Sequence, residues 1–316
     1  MGQTAVSARQ VRKTYRGADA PALDGFDLEI PTGTVYGLLG PNGAGKTTAI
    51  RILATLLRLD SGEATVAGFD VSADAANVRR RIGLVGQYAA VDEVLSGRQN
   101  LVLFGRLNHL GTAKATQRAD ELLERFALAD TGTKPVSKYS GGMRRRLDLA
   151  ASLIVAPEVL FVDEPTTGLD PQARQEVWAS LRELSEGGTT ILLTTQYLEE
   201  ADQLADRVAM LWHGRVVSEG TPDELKAAVG GDWIDVIFDR PDEAARALSL
   251  LRPHADGEPK ADQMKISVPV KQRTKALIAI STSLSGAGLE PAEVNLRRPT
   301  LDEVFIAQHA KEGASL

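Results

Sequence analysis

The chain has no cysteine, so disulfides and thiolate-held metals are excluded at once. Its four histidines, His109, His213, His254 and His309, show no spacing that would place them as joint metal ligands. No stretch approaches the roughly 18 consecutive apolar residues that mark a membrane span, and no signal-type segment opens the chain. The expectation is therefore a soluble polypeptide. An excess of basic charge is also missing: 36 Lys and Arg stand against 42 Asp and Glu, a net charge of −6. A chain so balanced has no general electrostatic reason to hold nucleic acid. The local clusters Arg79-Arg80-Arg81 and Arg144-Arg145-Arg146 read as solvated faces or phosphate-side chemistry. No internal repeat or low-complexity tract interrupts the chain.

What is present is ordinary globular composition, 43% hydrophobic and 25% charged over 316 residues, enough for two domains with buried cores. Alternation over Ala5–Lys13 and Leu23–Ile30 predicts two antiparallel edge strands, with Tyr15 between them. The apolar run Val35–Leu39 predicts a strand, and Lys46–Leu57 a helix of 3.6 periodicity. A short strand follows at Ile82–Val85. From Gln99 to Ala156 the pattern turns helical, through Leu101, Phe104, Leu107 and Leu110 and then Leu122, Leu123, Phe126 and Leu128. Strands at Val159–Val162, Thr190–Thr194 and Val208–Trp212 alternate with helices at Pro171–Glu186 and Tyr197–Ala205, which predicts a mainly parallel sheet covered on both faces. Gly230-Gly231 marks a boundary. Beyond it the order of elements suggests a small βαββαβ sandwich, provided that a weak strand lies near 253–257. Thr300-Leu301-Asp302-Glu303 reads as a capping box opening a last helix, and 311–316 as a frayed tail.

Three constellations carry chemistry. Gly40-Pro41-Asn42-Gly43-Ala44-Gly45-Lys46-Thr47 fits G-x-x-x-x-G-K-[ST], followed by a further hydroxyl at Thr48, and lies between a predicted strand and helix as that loop requires. Glycine lets the backbone amides wrap a phosphate, Lys46 adds a fixed positive charge between β- and γ-phosphates, and Thr47 supplies a hydroxyl for Mg²⁺. Ser140-Gly141-Gly142 opens a second helix whose free amides form another anion site, so two phosphate-grade helix starts imply one shared site. Val159–Val162 reads as a strand buried on both faces, with Asp163 and Glu164 at its tip where they cannot be core residues.

Tyr139-Ser140-Gly141-Gly142-Met143, Val159 to Pro165 and Thr167-Gly168-Leu169-Asp170 resemble the signature, Walker B and D-loop segments of ABC transporter ATPase subunits. The resemblance covers about residues 5–230. It is nearest to the ATP-binding subunits of daunorubicin/doxorubicin-resistance exporters, through Tyr139 to Asp148 and Leu193 to Asp202. It implies an α/β fold: a P-loop ABC-type ATPase core with an antiparallel β edge and a helical subdomain, plus a small α+β C-terminal domain. The implied division is a nucleotide-binding domain over 1–230, with its helical subdomain at about 88–156, and an accessory domain over 231–310. The function implied is binding and hydrolysis of ATP to power a separate membrane permease, with export of a hydrophobic drug or antibiotic. The alternatives are another ABC exporter or importer, or a soluble ABC protein without transport.

The resemblance also implies roles. Tyr15 stacks on adenine; Asp163 holds Mg²⁺ through water; Glu164 polarises the attacking water as general base. Gln87 touches Mg²⁺ and moves with the membrane partner, which Tyr88–Asn100 faces. Asp170 communicates between two subunits arranged head to tail, so that Ser140, Gly141 and Gly142 of one copy cap ATP held at Lys46 of the other. The implied location is the cytoplasmic side of the cell membrane, peripherally bound. One position departs from the wider family, which places histidine after the Thr190–Thr194 strand, whereas this chain has Gln196. Its amide can position phosphate or water but cannot become charged near neutral pH.

Overall fold

The computed structural model describes residues 3–87, 89–229 and 231–306. Tyr88, Gly230 of the glycine pair and the tail 311–316 lie outside them. The chain folds as two compact units, Met1–Thr221 and Pro222–Leu316. The helix Pro222–Val229 thus belongs with the second unit, and the division falls ahead of the glycine pair.

The first unit opens with β1 (Thr4–Lys13), β2 (Leu23–Pro31), β3 (Val35–Leu39), α1 (Lys46–Leu53), β4 (Ser61–Val66), β5 (Phe69–Asp70), α2 (Ala75–Arg79) and β6 (Ile82–Val85). Three helices follow, α3 (Gly97–Leu107), α4 (Thr112–Arg125) and α5 (Gly141–Ser152). The chain then returns through β7 (Val159–Asp163), α6 (Pro171–Glu186), β8 (Thr190–Thr195), α7 (Leu198–Leu204), β9 (Arg207–Trp212) and β10 (Arg215–Gly220). The central sheet has the order β10-β9-β3-β8-β7-β6, parallel except for β10. A second, antiparallel sheet has the order β2-β1-β4-β5. Sequence patterning reveals β1 and β2 of this sheet but not β4 and β5, which are too short and too exposed on one side to show a run.

Strands β3, β7 and β8 are buried at every residue, because both faces of the parallel sheet are covered and an unbroken apolar run is what such a strand needs. Alternate residues serve different cores. Val159 and Phe161 join one cluster with Phe26, Ile50 and Val66, beside the antiparallel sheet and α1. Leu160 and Val162 join the other, with Leu101, Leu122, Leu147 and Leu181 of the helical layer. This is the period-two alternation of a strand used on both sides. The helix predicted over Lys46–Leu57 ends earlier, at Leu53, where Ala54 caps it and Thr55 turns to a left-handed φ of 63°.

In the second unit α8 (Pro222–Val229) precedes β11 (Asp232–Ile237), α9 (Pro241–Leu251), β12 (Lys260–Asp262), β13 (Lys265–Val270), α10 (Arg273–Gly286) and β14 (Glu293–Arg297). The sheet order is β12-β13-β11-β14, antiparallel throughout, the arrangement of a split βαβ sandwich. The strand expected near 253–257 is not there. Arg252–His254 is a 3₁₀ turn, since Pro253 at its start cannot donate to a ladder, and the missing strand is β12, a fully exposed edge. Glu303 and Thr300 exchange the two capping-box hydrogen bonds at the start of the helix over 301–306. No helix among the described residues is long and apolar enough to cross a membrane.

Phe161 is fully buried in β7 while Leu107 is 65% exposed on α3. Phe161→Ala therefore lowers unfolding stability by about 3–5 kcal/mol through a cavity the sheet cannot close. Leu107→Ala changes it by less than about 0.5 kcal/mol. Urea midpoints of the two variants against the native chain check the contrast.

Candidate functional site

The parallel strands end level with one another. Leu39 pairs with Thr195, Asp163 with Thr194, and Val85 with Val162. The segments that follow β3, β6, β7 and β8 therefore emerge at one carboxyl edge, where ligands of open α/β sheets bind. These segments carry the glycine-rich loop, Gln87, Asp163-Glu164 and Gln196.

The loop from Gly40 to Gly45 passes into α1 through Gly45, whose φ is 110° and whose Cβ would stand 2.4 Å from the Ala22 carbonyl oxygen. No L side chain fits there. Pro41, Asn42 and Gly43 form the outer rim of the loop, while Ala44 packs into the core beside α1. Helix α1 has no acidic residue in its first turn, so the positive end of its dipole is left for an anion. The Lys46 ammonium is 5% exposed, donates to the Gly40 carbonyl at 2.7 Å and the Pro41 carbonyl at 3.1 Å, and lies 3.6 Å from Glu164. Burial pulls the Lys46 pKa down, and the carboxylates of Glu164 and Asp163 oppose that pull. An ammonium folded back onto its own loop, beside free helix amides, fits a phosphate chain laid between them.

Asp163 Oδ1 accepts from the Thr194 hydroxyl at 2.5 Å and from Thr47 Oγ1 at 3.4 Å. Hydroxyl and carboxylate oxygens are the hard donors that suit Mg²⁺, which takes its remaining ligands from phosphate and water. Glu164 has a left-handed φ of 48°, a conformation costing about 1–2 kcal/mol in a side-chain-bearing residue. Its amide donates to the Thr194 carbonyl at 3.1 Å, and Thr167 Oγ1 lies 3.4 Å from its Oε2. Tyr15, 40% exposed, reaches the loop helix through a 3.2 Å contact of its hydroxyl with Thr48 Oγ1. Gln87 and Gln196 are exposed, each just past its strand.

Ser140, Gly141 and Gly142 start α5 elsewhere in the unit. Ser140 Oγ accepts from the Met143 amide at 3.2 Å, and no acid occupies the first turn. Gly142 allows α6 close, since a Cβ there would stand 2.8 Å from that of Ala173. Asp170 caps α6 by accepting from the Ala173 amide at 2.9 Å. Ser140–Gly142 and Asp170 thus lie together at two adjoining helix starts. Among the described residues no hydrogen bond joins them to the loop at Lys46.

Sequence reasoning missed several buried polar groups. Arg145 was read within a solvated or phosphate-side cluster, but its side chain is 7% exposed and donates to three backbone carbonyls. A guanidinium leaves water only where such acceptors meet it. Asp148 and Glu200 are likewise buried, Glu200 accepting from Thr166 and from the Trp178 indole, both at 2.9 Å. Burial raises the pKa of both acids, that of Asp148 to about 6. A charged residue inside a helical pattern gives no sign of its burial, so only the tertiary contacts reveal these three.

Comparison with known proteins follows the same geometry. Residues 23–167 match the family model described as ABC transporter. The daunorubicin resistance ATP-binding protein DrrA3 of Streptomyces coeruleorubidus is 60% identical over 97% of this chain and 96% of its own length. The daunorubicin/doxorubicin resistance ATP-binding protein DrrA of Streptomyces peucetius is 49% identical over 96% of this chain and 92% of its own. Among solved structures, a dimeric ATP-binding cassette in a post-hydrolysis state bound to ADP and Pi superposes with a TM-score of 0.62 at 26% identity, covering 68% of this chain and 98% of that one.

The raised Asp148 pKa makes a pH prediction. The carboxyl titrates near 3.8 when unfolded and about 6 when folded, so the folded chain holds the extra proton between those values. That contribution is complete below pH 3.8 and is lost as pH rises through 6. Asp148→Asn removes it. The variant therefore gains roughly 2 kcal/mol relative to the native chain between pH 4 and pH 7. Paired urea titrations across that range measure the difference.

Proposed function

The chain belongs to the ABC transporter family, and from that membership we propose that it is the ATP-binding and ATP-hydrolysing subunit of a drug exporter, driving a separate integral-membrane permease. The observation that carries the reading is the convergence of Lys46, Thr47, Asp163 and Glu164 within hydrogen-bond and ion-pair reach at one sheet edge. Identity at 60% with a daunorubicin resistance subunit over nearly the whole of both chains supports drug or antibiotic export. No described helix is long and apolar enough to cross a bilayer, which supports a membrane path supplied by another polypeptide. The chain works from the cytoplasmic side of that membrane.

In this reading the first unit forms the nucleotide-binding domain and the second an accessory domain. Gly40 to Thr48 wrap the phosphates, with Lys46 neutralising charge that grows on them in the transition state. Tyr15 stacks on the base. Mg²⁺ would be held by Thr47, Asp163 and Gln87, and when bound it neutralises phosphate charge. Glu164 takes a proton from the attacking water, and its left-handed backbone aims the carboxylate at the loop. Gln196 positions water or phosphate by its amide.

The second anion site completes the arrangement. Among the described residues Ser140, Gly141 and Gly142 make no hydrogen bond to the loop at Lys46, which supports their serving the nucleotide of a second copy, head to tail, with Asp170 at the junction between the two. The stretch Tyr88–Asn100, in which Val94 is 84% exposed, faces the permease.

Glu164→Gln keeps every phosphate contact and loses the base, so it binds MgATP, stalls as a dimer and releases phosphate at least about 100-fold more slowly. Lys46→Ala abolishes turnover. Light scattering with MgATP and a phosphate-release assay report both; a Glu164→Gln protein that stays monomeric and hydrolyses normally refutes the assignment.

Gln196 lacks a titratable proton, so it confers no pH dependence between about 6 and 8. Gln196→His retains activity and adds an acid limb near pH 6.5. Phosphate release across pH, with the permease present, distinguishes the two. A dead native enzyme rescued by histidine would mean that this cassette binds ATP without cleaving it.

A further inference from the structure

Of three consecutive arginines, Arg145 alone is buried. Its guanidinium donates in three directions: to the Pro165 carbonyl at 2.7 Å, the Asp163 carbonyl at 3.2 Å and the Gly86 carbonyl at 2.5 Å. Asp163 and Pro165 flank Glu164, and Gly86 precedes Gln87. Three residues further along α5, buried Asp148 lies 3.5 Å from the same guanidinium. Its Oδ1 accepts from the Ala90 amide at 2.8 Å, three residues past Gln87. Helix α5 is therefore fastened by two of its own side chains to the turn that carries Glu164 and to both sides of Gln87.

Apolar side chains would pack α5 against the sheet without the desolvation that a buried guanidinium and carboxylate entail. What apolar packing lacks is direction. The planar fork of arginine fixes several acceptors at set angles, and here all three acceptors are backbone carbonyls of the two loops. Glu164 is the residue most in need of such support, because its left-handed backbone relaxes unless its neighbours hold it.

We propose that Arg145, with Asp148 as its counter-charge, is a positioning residue that holds the Glu164 turn and the Gln87 loop in register with the helix opened by Ser140-Gly141-Gly142. The inference rests on the reading of Glu164 as the base. Among the described residues no hydrogen bond or ion pair joins Arg145 to the loop from Gly40 to Thr48, so its removal spares nucleotide binding and slows the chemical step. A carboxylate displaced by about 1 Å loses about 100-fold in rate.

The test uses the full chain as Arg145→Gln and Arg145→Lys. Three readouts are taken: affinity for a fluorescent ATP analogue with Mg²⁺, steady-state phosphate release, and amide hydrogen exchange. Arg145→Gln is expected to keep nucleotide affinity and KM within about twofold while kcat falls by about 10–100-fold. Amides over 86–91 and 163–167 exchange faster, and those over 40–50 do not. Arg145→Lys recovers part of kcat, since an ammonium reaches one carbonyl but cannot fork across three. A kcat within about twofold of native for Arg145→Gln overturns the proposal. So does a loss of kcat matched by an equal loss of affinity and by faster exchange throughout the first unit, which marks a role in folding alone. A native chain without turnover strikes instead at the ATPase reading; exchange needs no turnover and then decides by itself whether Arg145 fixes the two loops.

Discussion

Parallel pairing of β3, β8, β7 and β6 ends four strands at one level, and the chemistry of the chain depends on that edge. The strands within the sheet are apolar and covered on both faces, so a charged group finds water only at their ends. Lys46, Asp163 and Glu164 meet there because the interior of the sheet excludes them. The low-polarity floor beneath strengthens each of their interactions. The same floor pulls the ammonium of Lys46 toward neutrality, and the two carboxylates oppose that pull.

A second consequence concerns α5. It begins at Ser140-Gly141-Gly142, which among the described residues make no hydrogen bond to the loop at Lys46, and through Arg145 it is tied to the turn of Glu164 and the loop of Gln87. On the proposed reading one helix touches the nucleotide of a neighbouring copy and the catalytic turn of its own. The buried pair of Arg145 and Asp148 is a poor stabiliser by itself, since burial already drives the Asp148 pKa up to about 6. Its value lies in orientation: the donors are aimed at carbonyls beside Glu164 and Gln87, where a packed leucine would leave both free to shift.

Much of this was legible beforehand. Glycine spacing before Lys46, the unbroken apolar run ahead of Asp163 and the alternation of strands with helices each follow from local rules of backbone freedom and burial. Strands β4 and β5 were not legible, because a half-exposed strand of six residues or two leaves no run to detect. Nor was β12, three exposed residues that are a strand only because β13 lies beside them.

By itself the sequence determined the class of fold, the phosphate loop, the carboxylate pair and the order in which they occur, since those depend on residue type within a few positions of one another. Tertiary structure alone decided which charges leave water. Arg144, Arg145 and Arg146 are identical in the sequence, yet one is buried against three carbonyls, one pairs with Glu93 at the surface and one reaches Phe126 and Glu176. Helical periodicity assigns each a direction but not a neighbour. The neighbour is set by how α5 lies on the sheet, and that comes from the packing of side chains far apart along the chain.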